Sequence, residues 1–340
     1  MSADGILVMR VVVSDTYLGG AAGSLVTTLA ATLREVFPKL AALPGGEILL
    51  IAGGPEAELG LDAHRLGERL RRREVENAEL IPEMIPLFVD PERAIALSDR
   101  IEAAARVNTI RQPRAVMLAG GLHEARATPS LIRLVLELER RGPWPLAAAL
   151  GIACLVLLAM TVIRRPPVAT TAATVGFASM GWWLLLIATW QATRGSVYSE
   201  VGALTAIFMA GLAGGAGLAT TRWSLPARRL PVVLAVGSAL SLVISVGVAI
   251  RFPLAGVPVL LTVGGGLTGA AFPGLAALSG RDTRRSTGIA FAADEFGAAA
   301  GALVVGIVAI PWAGLTATAL GLAVLSLAAI PAVLVSLRRP

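Results

Sequence analysis

Apolar positions along this chain fall into two regimes, and the change comes at Pro145. Beyond it the sequence is a succession of apolar stretches: Pro145–Ile163, Val168–Trp190, Val201–Thr220, Leu230–Ile250, Pro258–Leu278, Ile289–Ile310 and Gly314–Leu337. Each is close to the ~20 residues that cross about 30 Å of hydrocarbon. Each gives way to Arg, Pro, Gly or the end of the sequence. Backbone groups in lipid must find their hydrogen bonds within the segment, so these stretches are predicted to be helices. Trp144, Trp182, Trp183, Trp190, Trp223 and Trp312 fall mostly near their ends, as an interfacial aromatic belt requires. The predicted class is mainly α, a polytopic membrane helix bundle of about seven transmembrane helices over residues 145–340.

Before Pro145 the pattern is different. Ile6–Val13 is short and rich in Val and Ile after an Asp4-Gly5 turn signal, which predicts a buried strand. Leu25, Val26, Leu29, Leu33 and Val36 repeat at helical spacing up to Pro38. Lys39–Leu43, a Pro44-Gly45-Gly46 turn and Glu47–Ala52 then predict a hairpin. Strand, helix and hairpin over 1–54 are the closing part of an α/β sheet and too little for a whole doubly wound domain. Residues 55–144 are charged and helical in pattern. A polar helix covers Asp62–Asn77, and Asp90-Pro91-Glu92 starts another that runs to about Ala105: Asp as N-cap, Pro in the first turn, an acid at the positive dipole end.

Charge sharpens the division. Only 15% of residues are charged, against about a quarter in soluble domains. Met1–Trp144 holds 17 basic and 19 acidic residues, whereas 145–340 holds 12 Arg and four acids: Glu200, Asp282, Asp294 and Glu295. The net +6 therefore reports loops flanking apolar helices and excludes a nucleic-acid partner; the bilayer is the expected one. Ten Arg fall in one set of alternate loops and four in the other, and the positive-inside rule puts the ten in the cytoplasm and the N-terminal piece outside. One cysteine, Cys154, gives no disulfide framework, and His64 and His123 alone supply no Cys/His metal site. No signal peptide opens the sequence.

Within the membrane half the chemistry is sparse. Asp294 and Glu295 are the acids inside a predicted span, and an intramembrane acid is a functional hypothesis by default. The competing reading is a pair of acids near a helix N-terminus, about one and a half turns into Ile289–Ile310, stabilised by the dipole or by Arg284 and Arg285. Adjacent helical residues diverge by about 100°, so the two cannot serve one site. Gly211 with Gly215, Gly265 with Gly269, and Gly297 with Gly301 are pairs four apart that favour close helix packing. Pro273 after Gly264–Gly266 predicts a kinked or interrupted fifth span. Glu200 and Gln191 bracket the loop between the second and third spans and are expected at the interface.

Several segments, in order, resemble one family: the membrane-embedded spermidine synthase-like proteins, in which a polyamine aminopropyltransferase-type domain is joined to transmembrane helices. Asp4-Gly5-Ile6-Leu7-Val8 and Leu33-Arg34-Glu35-Val36-Phe37-Pro38 look like the last strands and helix of the synthase domain. Asp90-Pro91-Glu92-Arg93 and Val107-Asn108-Thr109 with Pro113 resemble its link to the membrane part. Further on, Gln191–Gly195 with Tyr198, Phe208–Ala213, Gly269–Pro273, and Ala292-Ala293-Asp294 with Gly297 and Gly301 look family-like. The resemblance implies that residues 1–54 are the C-terminal remnant of a Rossmann-like, methyltransferase-type α/β domain. The family's glycine-rich nucleotide loop and catalytic carboxylates would precede Met1, so no catalytic, cofactor-binding or metal residue is assigned here. Ile110 replaces an Asp that members tend to carry, and the hairpin is shortened to Leu43-Pro44-Gly45-Gly46. A fragment, split gene or degenerate member in a bacterial inner membrane is expected, inactive alone and partnered by a separately encoded or upstream synthase half. The alternative is a small-cation or polyamine transporter or channel using Asp294.

Overall fold

The computed structural model describes residues 2–74, 82–102, 105–116, 118–119, 137, 144, 148–153, 155, 168–194, 198–222, 226–250, 253–278 and 283–337. Cys154, His123, Trp223 and most of the expected span Pro145–Ile163 lie outside the described residues. The chain divides into two compact units, Met1–Thr109 with Arg114–Glu137, and Ile110–Pro113 with Leu138–Pro340.

In the first unit, strand β1 (Ile6–Val11) leads into helix α1 (Gly20–Val36) and the hairpin β2 (Lys39–Leu43) and β3 (Ile48–Gly53). The sheet order is β1-β3-β2, and β3 runs antiparallel to both neighbours. β1 and β2 are therefore parallel, with α1 as their crossover and β3 inserted between them. One face of the sheet is dry: Ile48, Leu50 and Ala52 of β3 and Ala42 of β2 are buried, as are Leu25, Val26, Ala30 and Leu33 of α1. On the alternate face, Ile6 and Val8 of β1 stay half exposed.

Residues past 54 complete this core. Helix α2 (Ala63–Arg72) is followed by the short α3 (Ile85–Phe88) and by α4 (Pro91–Ile101), whose buried Ala94, Leu97 and Ile101 form the face packed on α1 and β2. Arg34 of α1 donates to the Ile101 carbonyl at 2.8 Å, and Arg93 of α4 grips Asp15 through two nitrogens at 2.8–3.2 Å. The expected helices over 62–77 and 90–105 end earlier, at Arg72 and Ile101. Their starts are set by Asp62 and Asp90, each accepting from two backbone N–H groups of the first turn.

In the second unit five stretches of described helix are long and apolar enough to cross a membrane. They comprise α5 (Val168–Arg194), α6 (Tyr198–Arg222), α7 (Pro226–Ile250), α8 (Gly256–Leu278) and a last stretch, Thr287–Val335. That stretch of 49 residues, as one helix, would reach about 74 Å, more than twice the hydrocarbon thickness. It is divided at Gly314: α9 (Thr283–Gly301) passes into a π-helical segment (Ala302–Ala309) and α10 (Ile310–Ala313), and α11 (Leu315–Leu337) returns. The chain is a helical membrane protein. α8 runs unbroken through Pro273, so of the kink or interruption expected there the interruption does not occur.

Short connections alternate the helix direction, and the packing partners follow from it. α7 and α11 run antiparallel, with Ser238 donating to the Ala323 carbonyl at 3.0 Å and Ser245 to that of Thr316 at 3.3 Å. α6 and α8 run parallel, as do α5 and α9, and both pairs close on glycine. A Cβ at Gly215 would overlap the Gly266 carbonyl, and one at Gly211 the Thr262 carbonyl. From the other side, Gly265 meets the Phe208 carbonyl and Gly269 that of Leu212. On the second pair, Gly297 meets the Ala173 carbonyl and Gly301 meets Phe177.

Neighbouring glycines of α6 differ in what a side chain would meet. A methyl group added at Gly214 has nothing within 4 Å, whereas one at Gly215 strikes backbone. Gly214→Ala is expected to match or exceed the wild-type unfolding temperature, since Ala gains about 0.5–1 kcal/mol in a helix. Gly215→Ala is expected to lose about 1–3 kcal/mol through overpacking, read by circular dichroism in detergent. At Asp62, hydrogen bonds from the Arg65 and His64 backbone hold the carboxyl below the usual range, the Arg65 bond having the larger effect. The folded value lies below the unfolded one, so the cap stabilises above about pH 3.9 and is lost as pH falls through the lowered value. Amide exchange at His64 and Arg65 should therefore quicken in acid relative to free peptide, and Asp62→Asn should remove that pH dependence.

Candidate functional site

Two features of the membrane unit bear on chemistry: the acid at Asp294 and the cavities beside it. α9 begins at Thr283, six residues before the apolar stretch that predicted it. Asp294 is thus 11 residues in, about three turns, beyond the reach of the helix dipole at its N-terminus. This corrects the expectation of an acid one and a half turns from the helix start. The polar first turn of α9 carries no apolar signal, so the sequence pattern places the helix end too late.

Asp294 shares a face of α9 with Gly297, Ala298 and Gly301, the face pressed against α5. A Cβ at Gly176 would overlap the Asp294 carbonyl and lie 3.0 Å from the Ala298 nitrogen. The Asp294 side chain is half-buried, and among the described residues no hydrogen bond or ion pair reaches its carboxyl. Glu295, about 100° round the helix, is exposed. The two acids are separated, and the side chains of Arg284 and Arg285 lie outside the described residues.

A cavity of about 650 Å3 lies beside α9, on the side of Phe296 and Ala300. Its walls come from α5 at Ala173, Thr174 and Phe177, from α9 at Phe296, Gly297 and Ala300, from the π-helical segment, and from α11. Leu150 closes one side. Among the described residues no charged side chain lines it, and Asp294 does not open into it. A second void, about 20 Å3, sits among Thr174, Trp182, Thr268 and Ser326 in the middle of the unit and has room for one water. Hydroxyls there stay satisfied within their helices: Thr174 donates to the Thr170 carbonyl at 2.8 Å and Thr268 to that of Gly264 at 2.9 Å. Trp182 Nε1 donates to Ser241 Oγ at 2.8 Å, tying α5 to α7.

One arrangement escaped the sequence reading. Ile110–Pro113 lies across the end of the unit where α7 and α10 finish. Arg111 donates to the Ala249 carbonyl at 2.7 Å, which places a cation on the last turn of α7. The Leu315 N–H donates to the Arg111 carbonyl at 2.9 Å, and Gln112 Nε2 donates to the Trp312 carbonyl. Gly314 makes the turn possible: its φ is +88°, and a Cβ would lie 2.7 Å from the Arg111 oxygen. The lone glycine between two apolar stretches was the available signal. At the same end Glu200 accepts from Trp190 Nε1 at 2.7 Å and lies 3.6 Å from Arg194, which stacks over the Trp190 ring. Gln191 is half-buried beside them. His64 is exposed at the start of α2, and no group of three His, Cys, Asp or Glu gathers among the described residues.

Asp294→Asn removes a half-buried charge that has no partner among the described residues. It is expected to raise the stability of the purified chain by about 1 kcal/mol, as thermal unfolding would read. Glu295→Gln, on another face, is expected to give a different shift; equal shifts would mean that neither acid has a particular environment.

Compared with protein-family models, with curated proteins and with solved structures, the chain finds no match.

Proposed function

We propose that the chain is the membrane portion of a spermidine synthase-like integral membrane protein, a multi-pass component of a bacterial inner membrane. The observation that carries this reading is the β1-β3-β2 sheet, a β-α-β crossover with an antiparallel strand between its parallel strands, in one chain with long apolar helices. Such a sheet is a fitting close to a methyltransferase-type α/β domain, and the ordered resemblance of Asp4–Val8, Leu33–Pro38 and Asp90–Arg93 points the same way.

These 340 residues are proposed not to transfer an aminopropyl group alone. A nucleotide site of the dinucleotide type needs glycines for close phosphate approach and an acid for the ribose after a strand. β1 is followed by Ser14-Asp15-Thr16, and at the start of α1 Gly20 and Gly23 have the spacing of the last two glycines of that fingerprint, but Leu18 stands where the first would be and β2 carries no acid for the ribose. The partner in this reading is a synthase half, encoded upstream or separately.

A second reading is favoured by Asp294 alone: a small-cation or polyamine transporter that uses this unpartnered acid. The 650 Å3 cavity speaks against it, since no acid stands among the described residues of its wall.

Calorimetry of the purified chain with an S-adenosyl cofactor is expected to give no saturable binding in the micromolar range; saturable binding would overturn the inactive reading. Sequence immediately upstream of the Met1 codon is expected to encode an intact or frameshifted glycine-rich synthase segment, and unrelated sequence there would sink the family reading. Spermidine uptake into proteoliposomes that is lost on Asp294→Asn would establish the transporter instead.

A further inference from the structure

We propose that the 650 Å3 cavity is a slot for one acyl chain of a membrane lipid, independent of any polyamine chemistry. The volume lies within the about 300–1,000 Å3 of ordinary ligand sites. Its wall offers a ligand almost nothing polar. No charged residue lines it among the described residues, and of its three threonines Thr174 and Thr318 donate their hydroxyls to the carbonyls of Thr170 and Gly314 in their own helices at 2.8 and 2.7 Å. A headgroup or a polyamine placed there would lose its water without replacement, whereas a hydrocarbon chain loses nothing.

The lining suits a hydrocarbon chain. Small residues on three helices, Ala173, Gly297, Ala300 and Gly321 among them, leave the space open. Along α11 the lining runs from Ala317 to Leu325, eight residue steps or about 12 Å of helix. Half of a ~30 Å hydrocarbon core is about 15 Å, so this wall spans most of the depth of one leaflet.

The slot is continuous with the surface that lipid already covers. Phe296 lines it and is 75% exposed, and Leu303, beside the lining residue Val304, is 61% exposed. On a membrane-spanning helix such positions face acyl chains. The π-helical segment contributes Val304, Val305 and Ala309 to the wall, and wider turns of this kind recur at functional sites. The occupant is therefore the molecule that bathes the entrance.

The test uses the full chain, delipidated in detergent and re-exposed to palmitoyl-oleoyl-phosphatidylcholine, palmitoyl-lysophosphatidylcholine or glycerophosphocholine, with adducts read by native mass spectrometry. One adduct per chain is expected with either acyl-bearing probe and none with the chainless headgroup. Dodecane in excess should displace the lysolipid from the unsubstituted chain. Ala300→Leu and Gly321→Leu, each placing a branched side chain in the slot, should cut occupancy about tenfold while keeping the wild-type helical circular dichroism. Binding of glycerophosphocholine alone, no adduct with the acyl-bearing probes, or failure of dodecane to compete would overturn the proposal whatever the variants do. Unchanged occupancy in both folded variants would overturn it as well.

Discussion

Backbone touching backbone is the constraint on which the membrane unit depends. In lipid there is no hydrophobic gain in bringing helices together, so association rests on close van der Waals approach and on whatever hydrogen bonds cross the interface. Here α6 lies on α8 and α5 on α9 with glycine at the contact, each main chain resting on a carbonyl of the other. Both pairs are parallel, which short loops cannot produce between consecutive helices. Each therefore brackets helices that intervene in the sequence. The remaining partner of α7 is α11, tied by serines whose protons cross to foreign carbonyls.

How much of this was legible depended on whether the determining signal was local. Glycines four apart on an apolar stretch mark a flat helix face wherever they occur, so Gly211, Gly215, Gly265, Gly269, Gly297 and Gly301 could be named from spacing. Helix starts at Asp62 and Asp90 were readable for the same reason, because a cap is chemistry between neighbours. Strand, helix and hairpin could be read in the first unit, but not the order β1-β3-β2, since pairing joins residues some 45 apart in the sequence. Helix ends in the membrane were misjudged where polarity and geometry part company. α9 starts among polar residues at Thr283, and hydropathy sees only its apolar body.

The site was less legible than the fold. An intramembrane acid and a cavity-lining aromatic stand two residues apart in the sequence, yet the helix turns them to different walls. Asp294 shares the α5 contact face with Gly297 and Gly301, while Phe296 and Ala300 line the slot. The π-helical segment had no signature at all: Ala302–Ala309 is an ordinary apolar run. α5 is central to this arrangement, contributing residues to both cavities and to the contacts with α8, α9 and α11.

The clamp formed by Ile110–Pro113 imposes an order on assembly. Arg111 and Leu315 bond directly although about two hundred residues separate them, and Gln112 meets Trp312 across a similar interval. A ribosome delivers the first partner long before the second. Until α10 has emerged and Gly314 has turned the chain, the Arg111 carbonyl has no N–H to accept from, and the end of the bundle stays unlatched. Contacts of this sequence range form late because the intervening loop must be closed first. The last hairpin therefore acts as a completion signal for the whole membrane unit: a chain truncated before residue 315 would insert most of its helices and still lack the bolt that fixes their ends together.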